Sequence, residues 1–286
     1  MFGVLISPTD PVGVLAKLKR TSLVADIRAL IEGEALFNDG VGVVLFGAAL
    51  TLASGGGAIA PLPLAGQVLL QAGGGGALGL VLGLVAIRAM RSIDDYAVEV
   101  GITLALATGA YALAQALNLS GPIAVVVAGL MCGRRNVRES MSEQTRRYTR
   151  AFWTIVDENL NGVLFLLVGL EVFTLKFDRL VDLLAAAAIP LIMLGRWASL
   201  AGPAAVLSAI DGGLKPGLVV VLTWAGVRGG ISVAMALSLP PSRERAVILA
   251  ATYVVVVFSI IVQSLTLERV VVRMGYGRVA QTGSGG

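Results

Sequence analysis

Apolar residues gather in long runs punctuated by Gly, Pro and charge, near 2 to 16, 22 to 53, 64 to 88, 96 to 117, 120 to 132, 148 to 174, 180 to 209, 216 to 239 and 244 to 268. A helix needs about 20 apolar residues to cross the hydrocarbon core of a bilayer, so the runs predict transmembrane segments. The first and fifth are short for that task. Gly55-Gly56-Gly57, with Pro61 and Pro63, predicts a loop. Gly73 to Gly76 lies inside an apolar run and predicts close helix packing instead.

Composition sharpens the class. The 286 residues are 56% hydrophobic and 14% charged, against about a quarter charged in soluble domains. Mean hydropathy is +0.86. Apolar content divided by span length gives roughly eight spans, so the chain reads as an all-α polytopic membrane protein. The net charge of +4 is scattered and reads as membrane topology, not nucleic-acid affinity. Cys132 has no partner within the chain, which excludes a disulfide framework and a cysteine metal site. There is no His, so any pH response falls to carboxylates. Met1 is followed directly by Phe2 to Ile6 without a basic n-region or cleavage site, so the chain is expected to start inside a membrane segment.

Basic residues sort by alternate connections. One set holds Lys17, Lys19, Arg20, Arg88, Arg91, Arg134, Arg135, Arg138, Arg146, Arg147, Arg150, Lys215, Arg269, Arg273 and Arg278; the other holds only Lys176, Arg179, Arg243 and Arg245. The positive-inside rule makes the first set cytoplasmic and puts the C-terminus inside. Arg28, near Asp26, can snorkel, whereas Arg196 and Arg228 lie well within apolar runs. The basic stretch 133 to 150 reads as a solvated cytoplasmic loop or the start of a helix, with a lipid-headgroup role as the lesser reading.

Ionisable groups within a membrane are costly, so each needs a partner, water or a function. The densest group is Glu32-Gly33-Glu34-Ala35-Leu36-Phe37-Asn38-Asp39-Gly40. On a helix Glu34 and Asn38 share one face, and Ala35 and Asp39 the neighbouring one. Asp39 lies deep, where a carboxylate can hold either a proton or a small hard cation; the competing reading is a structural carboxylate neutralised by an Arg. Ser7-Pro8-Thr9-Asp10-Pro11 predicts a broken helix, since two prolines remove backbone donors and expose carbonyls. Thr9 then offers oxygens to a cation and Asp10 offsets half-helix dipoles, against a plain proline kink or interfacial turn. Thr223 to Gly230, with Arg228 among glycines, predicts a second break, against a packing helix with a snorkelling Arg. Two broken helices of opposite direction point to an inverted-repeat transporter. Arg196 needs a carboxylate, with Glu34 the first candidate and Glu32 the second.

The ordered set Thr9-Asp10-Pro11, Gly33 to Gly40, Phe165-Leu166-Leu167-Val168-Gly169-Leu170 and Gly226-Val227-Arg228-Gly229-Gly230-Ile231-Ser232 resembles the NhaP/NHE-like sodium/proton antiporters, the electroneutral branch of the cation:proton antiporter superfamily. The resemblance covers almost the whole chain. It implies an NhaA-like fold with inverted repeats and two broken, crossing helices, of which about nine of thirteen helices are present. It implies one membrane transporter domain over 1–286, with 1–53 and about 148–239 forming the core ion-binding part and about 64–132 the dimerisation and linker part. Carried over by position, Asp39 is the ion- and proton-binding carboxylate, Asn38 stabilises the site, and Thr9 joins Asp39 in holding the transported Na⁺. Glu34 and Arg196 resemble a buried ion pair, and Asp10 and Arg228 compensate charge at the breaks. The Asn-Asp pair resembles the one-for-one form of exchange.

Two departures stand out. Ala35 replaces a Ser found in many relatives, which removes one oxygen near the cation. About four N-terminal helices are absent, so the sequence resembles an N-terminally truncated antiporter, from a partial gene or a misassigned start. The expected function is secondary exchange of Na⁺ (or Li⁺) for H⁺ through alternating access, with K⁺/H⁺ exchange and an inert fragment as alternatives. An intramembrane hydrolase is disfavoured, because no Ser or Cys has an evident base. The expected setting is the plasma or inner membrane, multi-pass, with no cofactor, no nucleic-acid partner, the lipid bilayer as surroundings and homodimerisation if the missing helices are supplied.

Overall fold

A computed structural model describes residues 1–11, 14, 25–54, 61–134, 137, 142–171, 179–211 and 217–277. Lys17, Lys19, Arg20, Arg135, Arg138, Lys176, Lys215, Arg278 and the Gly55–Gly57 patch lie outside the described residues. Among the described residues all regular structure is helical. The helices are α1 (Phe2–Leu5), α2 (Ala25–Ser54), α3 (Pro61–Met90), α4 (Tyr96–Ala116), α5 (Gly121–Cys132), α6 (Glu143–Glu171), α7 (Arg179–Asp211), α8 (Leu218–Ala225), α9 (Gly230–Leu237) and α10 (Arg243–Phe258). A π turn, Ser259–Gln263, joins α10 to α11 (Ser264–Arg273).

Six of these, with α10 to α11 taken as one, are long and apolar enough to cross a membrane, and α8 with α9 makes a seventh if the pair, bent by 48°, counts as one span. The sequence suggested nine segments. The difference lies in the short ones: the run at 2 to 16 yields a four-residue helix followed by non-helical backbone through Asp10, and α5 has 12 residues. The leucine side chains that point outward fit a bilayer. Leu69 is 72% exposed and Leu191 69% exposed, which water disfavours over a continuous face and lipid does not.

The chain forms two compact units, one of Met1–Asp39 with Val168–Gly286 and one of Gly40–Leu167. The second unit is organised by glycine. Along α3, Gly75, Gly79 and Gly83 recur every four residues and meet Ser120, Ala124 and Ala128 of α5, which also recur every four. Small residues on both ridges let the backbones approach closely, and dispersion between them replaces a hydrophobic drive that lipid cannot supply. The Ser120 amide donates to the Gln71 carbonyl at 3.0 Å, and the Ser120 hydroxyl caps α5 by accepting from the Ile123 amide. Asp95 caps α4 in the same way through the Ala97 and Val98 amides. The glycine patch is therefore a packing surface.

In the first unit, Ile27 and Ile31 of α2 pack with Val221, Leu222 and Ala225 of α8 and with Leu267 and Val271 of α11. A smaller cluster joins Ile6 after α1 to Ala185 and Ala188 of α7 and to Ala251 and Val255 of α10. These two clusters hold α1 and α8, both interrupted elements, between continuous helices.

Gly79→Ala is expected to destabilise the protein by about 1–3 kcal/mol, because its Cβ would overlap the Ala124 backbone. Gly73→Ala, with nothing within 4 Å of its Cβ, is expected to gain up to about 1 kcal/mol from helix propensity. Thermal unfolding in detergent reads both; equal stabilities would contradict the packing account.

Candidate functional site

The site is built where two helices stop. After Leu5 the chain leaves the helix: Ser7 turns its hydroxyl onto the Val4 carbonyl at 2.8 Å, Pro8 offers no amide for a helical bond, and helical backbone resumes at Pro11, a residue suited to a helix start. On the other side α8 ends at Ala225 and α9 begins at Gly230, with Gly226 to Gly229 non-helical between them. The two interruptions meet. The Asp10 amide donates to the Val227 carbonyl at 2.7 Å, and the Arg228 guanidinium donates to the carbonyls of Ser7 and Pro8, the latter at 3.2 Å. Arg228 is 6% exposed and its Nε has no partner among the described residues.

The placement is reciprocal. Arg228 puts positive charge on the carbonyls that follow α1. Asp10 lies beside Gly229, the N-cap of α9, which has no side-chain cap of its own. A Cβ on Gly229 would sit 2.6 Å from the Asp10 Cβ, so only glycine allows this approach. Negative charge at a helix N-terminus and positive charge at free carbonyls both match the partial charges there.

Asp39 of α2 is half-buried where the two interruptions meet. Its Oδ1 accepts the Thr9 amide at 3.3 Å, and Thr9 itself is 6% exposed. The contact thus uses the Thr9 backbone donor; among the described residues its hydroxyl makes no hydrogen bond. Ala35, one turn before Asp39, is buried and brings no polar atom.

One turn away, Arg196 of α7 forms a two-pronged pair with Glu34: Nη1 donates to Oε1 and Nη2 to Oε2 at 2.8 Å. Nη2 also donates to the Leu222 carbonyl of α8 at 3.1 Å. Glu32, the second candidate for Arg196, pairs instead with Arg28 at 3.0 Å on an exposed face. Asn38 donates its amide to Glu34 Oε1 at 3.2 Å, so its recorded hydrogen bond goes to the ion pair, not to Asp39. This follows from helix geometry, since residues four apart stack on one face. A Cβ on Gly226 would fall 2.5 Å from Arg196 Nε, so the second break also clears room for this guanidinium. Beside the pair lies a cavity of about 450 Å³ lined by Ser7, Glu34, Asn38, Ile192, Arg196 and Arg228, among others.

Gln263 was not anticipated from sequence. It is 2% exposed in the π turn, accepts from Ser259 at 2.5 Å and donates to the Trp224 carbonyl at 3.4 Å, next to the end of α8. Trp224 is held from its other end by an indole hydrogen bond to Thr266 at 2.8 Å. The signal was present as Ser259 and Gln263 spaced four apart in an apolar run, but uncharged polar residues are less conspicuous there than Arg228. Among the described residues no three acidic or Cys side chains gather as a resident metal centre, and the charges of Asp10 and Arg228 both act on Asp39.

Sequence comparison gives the same direction. A family model described as sodium/hydrogen exchanger, transmembrane, matches residues 1–273. The Na⁺/H⁺ antiporter NhaP of Pseudomonas aeruginosa is 42% identical over 288 residues, covering 100% of this chain and 68% of the relative. The Na⁺/H⁺ antiporter NhaH of Halobacillus aidingensis is 36% identical, covering 96% of this chain and 68% of its own. The low-affinity Na⁺/H⁺ antiporter NhaS1 of a Synechocystis species is 32% identical, covering 92% and 51%.

Arg196→Met should cost about 3 kcal/mol, because it leaves the Glu34 carboxylate and the Leu222 carbonyl without their donor. The double variant Arg196→Met with Glu34→Gln should recover most of that loss. Chemical or thermal unfolding of the four forms of the cycle measures the coupling, and additive losses would show that the pair contributes nothing.

Proposed function

The chain belongs to the transmembrane sodium/hydrogen exchanger family, and from that premise we propose that it is a secondary transporter in which Na⁺ (or Li⁺) and H⁺ compete for the Asp39 carboxylate. The observation that carries the reading is the position of Asp39: its carboxylate accepts the Thr9 amide where two helix interruptions meet. Midplane sites in transporters are built from such interruptions, which supply free backbone groups to an ion.

The chemistry follows from the single carboxylate. Protonated, Asp39 is neutral and can accompany one H⁺ across; deprotonated, it neutralises one Na⁺, a hard cation suited to oxygen ligands. Thr9 supplies further oxygens. Either cargo brings one positive charge, so exchange is one for one and electroneutral. Asn38 in place of a second carboxylate supports this stoichiometry, because it adds no titrating group. Glu34 and Arg196 neutralise each other and hold α2 in rotation, and Asp10 and Arg228 stabilise the two breaks. Ala35 leaves fewer side-chain ligands for the cation, which favours modest affinity.

Residues 1–53 and 148–239 form the moving ion-binding part of an NhaA-like inverted-repeat fold, and 64–132 the linker and dimerisation part of a homodimer. Motion of one part against the other exposes Asp39 to each side in turn. The chain sits in the plasma membrane with its C-terminus in the cytoplasm, on the side of most basic residues.

Proteoliposomes with an imposed pH gradient should relax it on addition of Na⁺, at a rate unchanged by clamping the membrane potential. Asp39→Asn should abolish the relaxation. Retained exchange in that variant would remove Asp39 from the mechanism, and a rate that follows the potential would overturn the one-for-one stoichiometry.

A further inference from the structure

The unit of residues 40–167 contains a second cavity, of about 400 Å³, with no part in the Asp39 site. That size is typical of small-molecule pockets. Its walls are apolar over most of their extent, with Met90 of α3, Leu106 of α4 and Val125 of α5 among them. One end differs. There α6 presents Arg146, Thr149 and Arg150, three and four residues apart and therefore on one helical face. Trp153 continues that face, and its indole donates to the Thr103 hydroxyl of α4 at 3.1 Å.

Among the described residues neither Arg146 nor Arg150 joins an ion pair, although the acids Asp94, Glu99 and Glu143 are close by in the chain's fold or sequence. Asp94 is engaged by the Thr145 hydroxyl at 3.2 Å. The Thr149 hydroxyl is buried and makes no hydrogen bond among the described residues. Other threonines on these helices use theirs: Thr154 returns its hydroxyl to the Arg150 carbonyl at 2.9 Å and Thr108 to the Leu104 carbonyl at 2.8 Å, while Thr145 gives its own to Asp94. A pocket with two guanidinium groups and a spare hydroxyl at one end, and hydrocarbon walls beyond, has the polarity of a single lipid molecule. Guanidinium groups match phosphate oxygens in geometry and charge.

We propose that this cavity binds one anionic phospholipid, with its phosphate held by Arg146, Arg150 and Thr149 and an acyl chain along the apolar walls. The lipid stands in the leaflet on the side of the basic connections, and anionic lipid at that surface raises its occupancy. The site fastens α6 to α4 and α5 within this unit. It is independent of ion exchange at Asp39, so it stands or falls by lipid binding alone.

The test uses the full chain in detergent, titrated with dioleoylphosphatidylglycerol or dioleoylphosphatidylcholine and read by native mass spectrometry. Wild type should prefer the anionic lipid by about tenfold in apparent affinity. Arg146→Ala with Arg150→Ala should abolish the preference, and Arg146→Lys with Arg150→Lys should keep part of it. Gly129 lines the cavity and has open space around its Cβ position, so Gly129→Phe should fill the pocket and lose the lipid with both arginines intact. A preference that survives the double alanine change, or undiminished binding in Gly129→Phe, would overturn the proposal. So would displacement by excess inorganic phosphate alone, which would mark a phosphate site and not a lipid site.

Discussion

Backbone that is not helical cannot be solvated at membrane depth, so each free amide and carbonyl must find a partner within the protein. Here the two interrupted stretches serve each other. Arg228, from the second, donates to the Ser7 and Pro8 carbonyls of the first, and the Asp10 amide of the first donates to the Val227 carbonyl of the second. The position of Thr9 follows from this lock, since it lies between Pro8 and Asp10. The hydrogen bond from its amide to Asp39 follows from the position of Thr9. A guanidinium suits the task because it stays charged, offers several donors in one plane and accepts none. Burying it is costly, and the carbonyl partners together with the attraction of the Glu34 and Asp39 carboxylates offset that cost.

The Glu34–Arg196 pair does a different job. It connects α2 to α7 and, through the Leu222 carbonyl, to α8. Asn38 adds a hydrogen bond from the same helix face. The result sets the rotation of α2, and therefore which way Asp39 points, while Asp39 itself keeps out of the ion pair. Two glycines give these groups room: Gly226 against Arg196 and Gly229 against Asp10. Larger residues at either place would push apart the groups that hold the crossing together.

Much of this was readable from residues. Prolines three apart and an Arg among glycines announced both interruptions, because each conflicts with a continuous apolar helix. Arg196 demanded a carboxylate, and helical spacing separated the Glu34–Asn38 face from that of Asp39. The Gly73 to Gly76 patch announced close packing of α3, although the contact extends beyond it through Gly79 and Gly83. Other features depend on partners distant in sequence, and no local pattern encodes them. The Thr9 contribution through its amide and the role of Gln263 beneath Trp224 belong to that class, whereas the pairing of Glu32 with Arg28, four residues apart on one helix, was open to helical spacing. Hydropathy also marked the runs at 2 to 16 and 120 to 132 as short, which fits the four residues of α1 before its interruption and the 12 of α5.

The central claim is that one carboxylate holds either a proton or a sodium ion. Its most direct test is proton release on Na⁺ addition to the purified protein in weakly buffered detergent solution, at a pH where Asp39 is protonated. Linkage requires that Na⁺ binding at this site expel the proton it replaces. The account predicts one proton released for each Na⁺ bound, and none in Asp39→Asn. Sodium binding without proton release, or equal release from the variant, would contradict it.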